Sequence, residues 1–360
     1  MSRKANFYAG PSTLPLQVLE QLRDSIVDFD HNGLSLLETS HRSPMYDSVH
    51  TDAKALVREL LSVPEEFSIL FLGGGATLQF SMVPLNLLTR DNHCDFIVSG
   101  SWANKALSDA RKIGNANVLF DGETSGYSTL PTDICCTPGA AYLHITSNET
   151  IDGIQWQSLP DSGGVPIVAD MSSDIMSRPI DFDNVGIIYA GAQKNLGPAG
   201  VTAIIIKDEV LDRCAEGLTA YLSYRVHAEK DSLYNTPPVF SIYALGLVLR
   251  WIKECGGLSA ISQRNDKKAS RIYHAIDSSN GFYTGRAERH VRSNMNVAFS
   301  LQSEALEQEF LSTAQKLGML GLRGHRSVGG CRASLYNALP LEWADNLASF
   351  MTDFAGKKGY

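Results

Sequence analysis

The run Val185-Gly-Ile-Ile-Tyr-Ala-Gly-Ala192 leads into Gln193-Lys194-Asn195, then Leu196-Gly-Pro-Ala-Gly200 and a second apolar run from Val201 to Ile206. A lone amine is thereby wrapped in small and apolar residues between two core strands. Most isolated lysines are solvated surface groups. Burial in a setting like this lowers the amine pKa and makes Lys194 available as a nucleophile toward a carbonyl, with which it forms a Schiff base. Just upstream, Val165-Pro-Ile-Val-Ala-Asp170 sets a carboxylate beyond an apolar run, where it is costly unless paired, and Met171-Ser-Ser-Asp174 follows. Nearer the amino terminus, Phe67-Ser-Ile-Leu-Phe-Leu72 runs into Gly73-Gly-Gly-Ala-Thr77, and Leu78-Gln-Phe-Ser-Met-Val83 reads as the start of a helix. Glycines ahead of a helix leave free N–H groups and the positive dipole end open to a phosphate. Taken alone, such a turn also serves strand-to-helix connections that bind nothing, and it is neither a Walker loop nor a G-x-G-x-x-G fingerprint.

Bringing these residues together requires strand ends that share one edge. Between about residues 66 and 206, apolar runs alternate with helix-like or polar stretches, which predicts an α/β fold with a mainly parallel sheet covered by helices. The seven candidate strands are Phe67 to Leu72, Asp95 to Ser99, Ala116 to Phe120, Ala141 to Thr146, Val165 to Ala169, Val185 to Ala190 and Val201 to Ile206. Ligands of such sheets gather at the carboxyl ends of the strands, where Asp170, Lys194 and the Gly73 turn all fall. A helix from Pro238 to Cys255, closed by Gly256-Gly257, precedes a boundary placed near 258. The expected division is therefore residues 1–15 as a segment packing on the smaller unit, 16–258 as the larger domain, and 259–360 as a smaller α+β domain.

The bulk properties exclude several classes. A chain of 360 residues with 44% hydrophobic and 19% charged residues supports two folded cores and no disordered tract. A net charge of −8 without a Lys/Arg-rich run argues against nucleic acid. No stretch has the apolar length of a signal peptide or a membrane span, so a cytoplasmic protein is expected. Cys94, Cys135, Cys136, Cys214, Cys255 and Cys331 show neither metal-ligand spacing nor disulfide density.

A phosphate site, a carboxylate and a lysine match one cofactor with three handles, pyridoxal 5'-phosphate (PLP): a phosphate for the Gly73 turn, a ring nitrogen for Asp170, an aldehyde for Lys194. A carboxylate against the ring nitrogen keeps it protonated and strengthens the ring as an electron sink. The chain also resembles the phosphoserine aminotransferase family, a class V group of PLP-dependent aminotransferases. The resemblance rests on Asn6-Phe-Tyr-Ala-Gly-Pro-Ser-Thr-Leu-Pro15, Ser40-His-Arg-Ser43, Gly74-Gly-Ala-Thr77 with Gln79-Phe80, Ser147-Asn-Glu-Thr-Ile-Asp-Gly153, Ala169-Asp-Met-Ser-Ser173, Tyr189-Ala-Gly-Ala-Gln-Lys-Asn195, Asn235-Thr-Pro-Pro238 and Arg332-Ala-Ser-Leu-Tyr-Asn337. It implies a fold type I PLP-dependent transferase that acts as a homodimer. The reaction implied takes glutamate and 3-phosphohydroxypyruvate to 2-oxoglutarate and phosphoserine in serine biosynthesis, with a related role in pyridoxine biosynthesis.

Carried over residue by residue, the resemblance implies that Lys194 binds the cofactor and shuttles the proton, and that Asp170 holds the ring nitrogen. Trp102 would stack on the ring and Thr150 would meet its hydroxyl, although a Trp after a strand is more often core and a Thr there more often a cap. Ala76, Thr77 and Gln193 would hold the phosphate, with Asn235 and Thr236 arriving from the other subunit. Arg332 resembles the α-carboxylate anchor, and His41, Arg42, His325 and Arg326 a substrate phosphate cluster, from the same or the partner subunit. Singly each is an ordinary surface charge, but a compact dianion needs several donors. Two other readings stand beside this one. A cysteine desulfurase would use Cys331, which strand alternation turns away from Arg332. A nucleotide-binding protein without chemistry would need only the Gly73 turn and leaves Lys194 unexplained.

Overall fold

The computed structural model describes residues 3–360; residues 1 and 2, the start of the expected 1–15 segment, lie outside the described residues. The seven apolar runs form the strands Phe67–Leu72, His93–Val98, Asn115–Asp121, Ala140–Thr146, Ile167–Asp170, Val185–Gly191 and Thr202–Lys207. Side by side their order is Phe67–Leu72, Thr202–Lys207, Val185–Gly191, Ile167–Asp170, Ala140–Thr146, His93–Val98, Asn115–Asp121. Thr202–Lys207 is antiparallel to both of its neighbours, and the remaining pairs are parallel. Both faces of the sheet are covered, so these strands read as continuous apolar runs rather than as alternation. Successive side chains still part company: Ile188 and Ala190 join the core beneath the Pro44–Leu61 and Val239–Glu254 helices, while Ile187 and Tyr189 join the one beneath Gly75–Leu87 and Ser101–Ile113.

The helix expected to start at Leu78 starts at Gly75. The chain gains those residues by turning through left-handed conformations at Gly74 (φ 89°) and Gly75 (φ 67°). A side chain at Gly74 is excluded twice, by its φ and because a Cβ would lie 2.4 Å from Leu78 Cδ2.

The smaller unit stacks the helices Gly257–Asp277, Glu304–Lys316 and Leu341–Gly356 with an antiparallel sheet of Tyr283–Gly285, Asn296–Leu301 and Cys331–Ser334. Its core centres on Phe282, Phe299, Phe310 and Phe354, and Phe7 is buried in it. Ala5–Asn6 pairs in parallel with Met319–Leu320, which lays the described start of the chain on this unit. Gly256 and Gly257, both at positive φ, separate the helices on either side of residue 256, and on that break we propose the division into 16–258 and 259–360. Leu258 and Ile261 pack in the larger core, so the first turn of the Gly257–Asp277 helix bridges the two.

Candidate active site

The carboxyl ends of the parallel strands and the start of the antiparallel one surround a cavity of about 500 Å³. Asp170 ends its strand, and Gln193 and Lys194 follow the next; Ala76 and Thr77 come from the first turn of the Gly75–Leu87 helix and Trp102 from that of Ser101–Ile113. Thr150 follows the Ala140–Thr146 strand, and His325 and Arg332 reach in from the smaller unit. Ala9, Gly10 and Pro11 close another wall. Ser12 N–H donates to the Gln193 carbonyl at 2.9 Å, and a Cβ on Gly10 would stand 3.7 Å from Lys194 Cγ, so the amino-terminal segment packs along the lysine stem.

Burial lowers the Lys194 amine below the ordinary lysine value; the Asp170 and Glu149 carboxylates oppose that and the Arg332 charge adds to it. Its Nζ lies 5.7 Å from the Trp102 ring centroid. Asp170 is 5% exposed, and burial pushes its carboxyl up while hydrogen bonds from Ser172 and the charge of Lys194 hold it down. The Ser172 N–H donates to Asp170 Oδ1 at 2.9 Å, and Ser172 Oγ accepts from the Gly191 N–H at 3.1 Å, tying the two neighbouring strand ends together. Trp102 Nε1–H donates to Thr150 Oγ1 at 2.8 Å, which leaves the threonine hydroxyl hydrogen free for another acceptor. Arg332 Nη1 donates to the Thr150 carbonyl at 2.9 Å, whereas its Nε is buried without a partner among the described residues. A guanidinium held on one side with a free N–H on the other suits a carboxylate.

The remaining expected residues lie outside this cavity. His41 is half-buried and Arg42 exposed, just ahead of the Pro44–Leu61 helix, with Arg42 Nε 3.4 Å from His41 Nε2. Arg326 is exposed beside His325. Asn235 and Thr236 are exposed and line a separate cavity of about 270 Å³ that meets the first at Gly200. Cys331 is 2% exposed and packs in the smaller core, while Arg332 faces the site, and burial raises the thiol pKa far out of reach of a neutral-pH nucleophile. Sequence reasoning singled out neither Ser172 nor Lys105. Ser172 lies inside Ala169-Asp-Met-Ser-Ser173, where nothing in the sequence sets it apart from its neighbour Ser173. Lys105 stands one turn after Trp102 with its Nζ 3.9 Å from the ring centroid, a helical spacing that could have marked it.

The donor set fits PLP: an exposed helix N-terminus with two positive-φ glycines for the phosphate, a buried carboxylate for the ring nitrogen, and a buried amine for the aldehyde.

The Aminotransferase class-V family model matches residues 5–347. The chain is 50% identical to the phosphoserine aminotransferase of Lysinibacillus sphaericus over 99% of both chains. The structure is similar to that of phosphoserine aminotransferase from Bacillus circulans subsp. alkalophilus, with a TM-score of 0.96 and 48% identity over 99% of both chains. It is also similar to PLP-bound phosphoserine aminotransferase from Trichomonas vaginalis, with a TM-score of 0.91 and 36% identity over 97% of this chain and 99% of that one.

Proposed function

The chain belongs to the class-V aminotransferase family, and from that premise we propose that it is a phosphoserine aminotransferase of serine biosynthesis, transferring the amino group of glutamate to 3-phosphohydroxypyruvate in two half-reactions at one site. The observation that carries this reading is a single cavity joining Lys194, Asp170 and a glycine-led helix N-terminus to Arg332 and His325. PLP, when bound, supplies an aldehyde for the amine and a ring that withdraws electrons from the substrate α-carbon. The helix start at Ala76 and Thr77, with Gln193, would hold its phosphate; Trp102 would cover the ring and Thr150 would meet the ring hydroxyl. Asp170 would keep the ring nitrogen protonated. Lys194, its amine lowered by burial, would take the proton from the substrate α-carbon and hold it for return within the site.

Arg332 holds the α-carboxylate shared by both amino acids. The distal group is a phosphate in one half-reaction and a carboxylate in the other, and His325 receives it from the cavity wall, with the exposed Arg326 beside it just outside. His41 and Arg42 stand outside the cavity of their own chain, so they join this cluster from the partner subunit, as Asn235 and Thr236 join the cofactor phosphate. A homodimer follows from this assignment, and the exposed apolar residues Leu16, Leu19, Ile26, Val27, Leu34 and Leu37 of the first forty support a covered surface there. The cysteines are all free thiols, in keeping with a cytoplasmic setting. Among the described residues, no helix is long and apolar enough to cross a membrane.

Visible absorbance of the purified protein tests the whole reading. A cofactor band that is lost on adding glutamate and restored by 3-phosphohydroxypyruvate is expected; a colourless protein, or a band indifferent to glutamate, refutes it.

A further inference from the structure

Glu149 is fully buried beneath the first turn of the Ser101–Ile113 helix. Its Oε2 accepts the Trp102 backbone N–H at 3.1 Å and its Oε1 the Ala103 N–H at 2.9 Å. The helix has Gly100 at its start and no side-chain cap of its own, so its first free N–H groups find their acceptors in a residue well separated along the chain. A carboxylate is the best acceptor for that end because the helix dipole is positive there. The approach is close: a Cβ on Gly100 would lie 2.5 Å from Glu149 Cδ, so only glycine admits it. The next side chain along, Thr150, accepts the indole N–H of the same tryptophan at 2.8 Å. Two consecutive residues therefore grip Trp102 at backbone and ring. Thr150 lines the cavity and Glu149 does not, so Glu149 can reach the site chemistry only through the residue it caps and through its charge.

We propose that Glu149 is a positioning residue, a cap supplied from outside the helix that sets the height and tilt of the Trp102 indole against the cofactor ring. The inference rests on the reading of Trp102 as the residue that covers that ring. Burial pushes the Glu149 carboxyl up to about 8, against the pull of the two N–H groups.

A double-mutant cycle on the full-length protein decides it. PLP dissociation constants are measured by titrating the cofactor-free forms of wild type, Glu149→Gln, Trp102→Phe and the double variant. Glu149→Gln keeps the shape but turns an amide N–H toward a backbone N–H, and about a tenfold loss of affinity is expected, on the scale of removing a cap with its charge. In the Trp102→Phe background the same change should add little, because both act through one ring. Losses that multiply overturn the proposal. Gly100→Ala, which displaces the carboxylate from the other side, should reproduce the Glu149→Gln loss and the same change in the visible circular dichroism of bound PLP. A Gly100→Ala variant with wild-type affinity and spectrum overturns the proposal as well. If Trp102→Phe alone leaves affinity unchanged, the ring-covering role falls, and the positioning claim falls with it. Amide hydrogen exchange in the cofactor-free protein then tells the two apart: faster exchange at Trp102 and Ala103 in Glu149→Gln shows the cap itself to be real, and unchanged exchange removes that too.

Discussion

At the scale of single residues, the site depends on two ionisable groups kept out of water. Lys194→Ala removes the amine we propose moves the α-proton, while the helix N-terminus proposed to receive the phosphate is untouched. Turnover should fall to background while far-ultraviolet circular dichroism and PLP binding through the phosphate persist; normal turnover would remove Lys194 from the mechanism. Because burial lowers its pKa, the charged amine is disfavoured in the fold, so its loss should leave thermal stability at neutral pH unchanged or raised. Asp170→Asn preserves the outline of the side chain and the hydrogen bond from the Ser172 N–H, but it removes the charge proposed to keep a ring nitrogen protonated. A fall in kcat of about 100-fold or more is expected, the scale on which one preorganised electrostatic partner matters. Near-wild-type kcat in steady-state assays would deny Asp170 that role. Lys194 and Asp170 were both legible in the sequence, because a charged residue at the end of an apolar strand is anomalous wherever it occurs. Ser172 was not, since a serine in a loop carries no anomaly until its hydroxyl is seen to accept from the neighbouring strand end.

At the scale of elements, the central sheet carries buried polar groups that make its stability depend on pH. His144 lies in the Ala140–Thr146 strand, stacked on Phe96 at 4.6 Å, with Nε2 2.8 Å from Tyr189 Oη. Its Nδ1 has no partner among the described residues, and burial pushes its pKa down from 6.5 to about 3. The fold thus holds the neutral ring: the contribution is fully present above the unfolded value of 6.5 and is lost as pH falls from there toward 3. Between neutral pH and about pH 5, wild type should lose about 2 kcal/mol more stability than His144→Gln, from about 1.4 kcal/mol per pH unit below the unfolded pKa. Denaturant melts of both proteins across that range measure it, and parallel pH curves would mean that the ring protonates within the fold. The strands themselves were legible because burial on both faces makes each a compact apolar run. The start of the Gly75–Leu87 helix was not, because consecutive glycines give no periodic signal and their positive φ values leave no mark in the sequence.

At the scale of the molecule, the exposed Asn235 and Thr236 make a prediction about assembly. Thr236→Asp should expel the cofactor from the opposite subunit's site by setting a carboxylate against its phosphate, whereas Lys194→Ala is defective in its own. Each variant alone should be nearly inactive. A mixed dimer of the two holds one site with both defects and one with neither, so random pairing on co-expression should restore about a quarter of wild-type activity. No recovery, with mixed dimers demonstrated by differential tags, would show that Thr236 serves its own site or none. The sequence by itself determined that the chain is α/β, which runs become strands, and which residue types could hold a phosphate, a ring nitrogen and an aldehyde, because burial and propensity act over a few neighbouring residues. Only the tertiary structure decided the order of the strands, the convergence of His325 and Arg332 from the smaller unit on Lys194, and the exclusion of His41, Arg42, Asn235 and Thr236 from the cavity of their own chain. Those outcomes depend on how whole layers pack against one another, and residues so far apart along a chain carry no local trace of the contacts they will make.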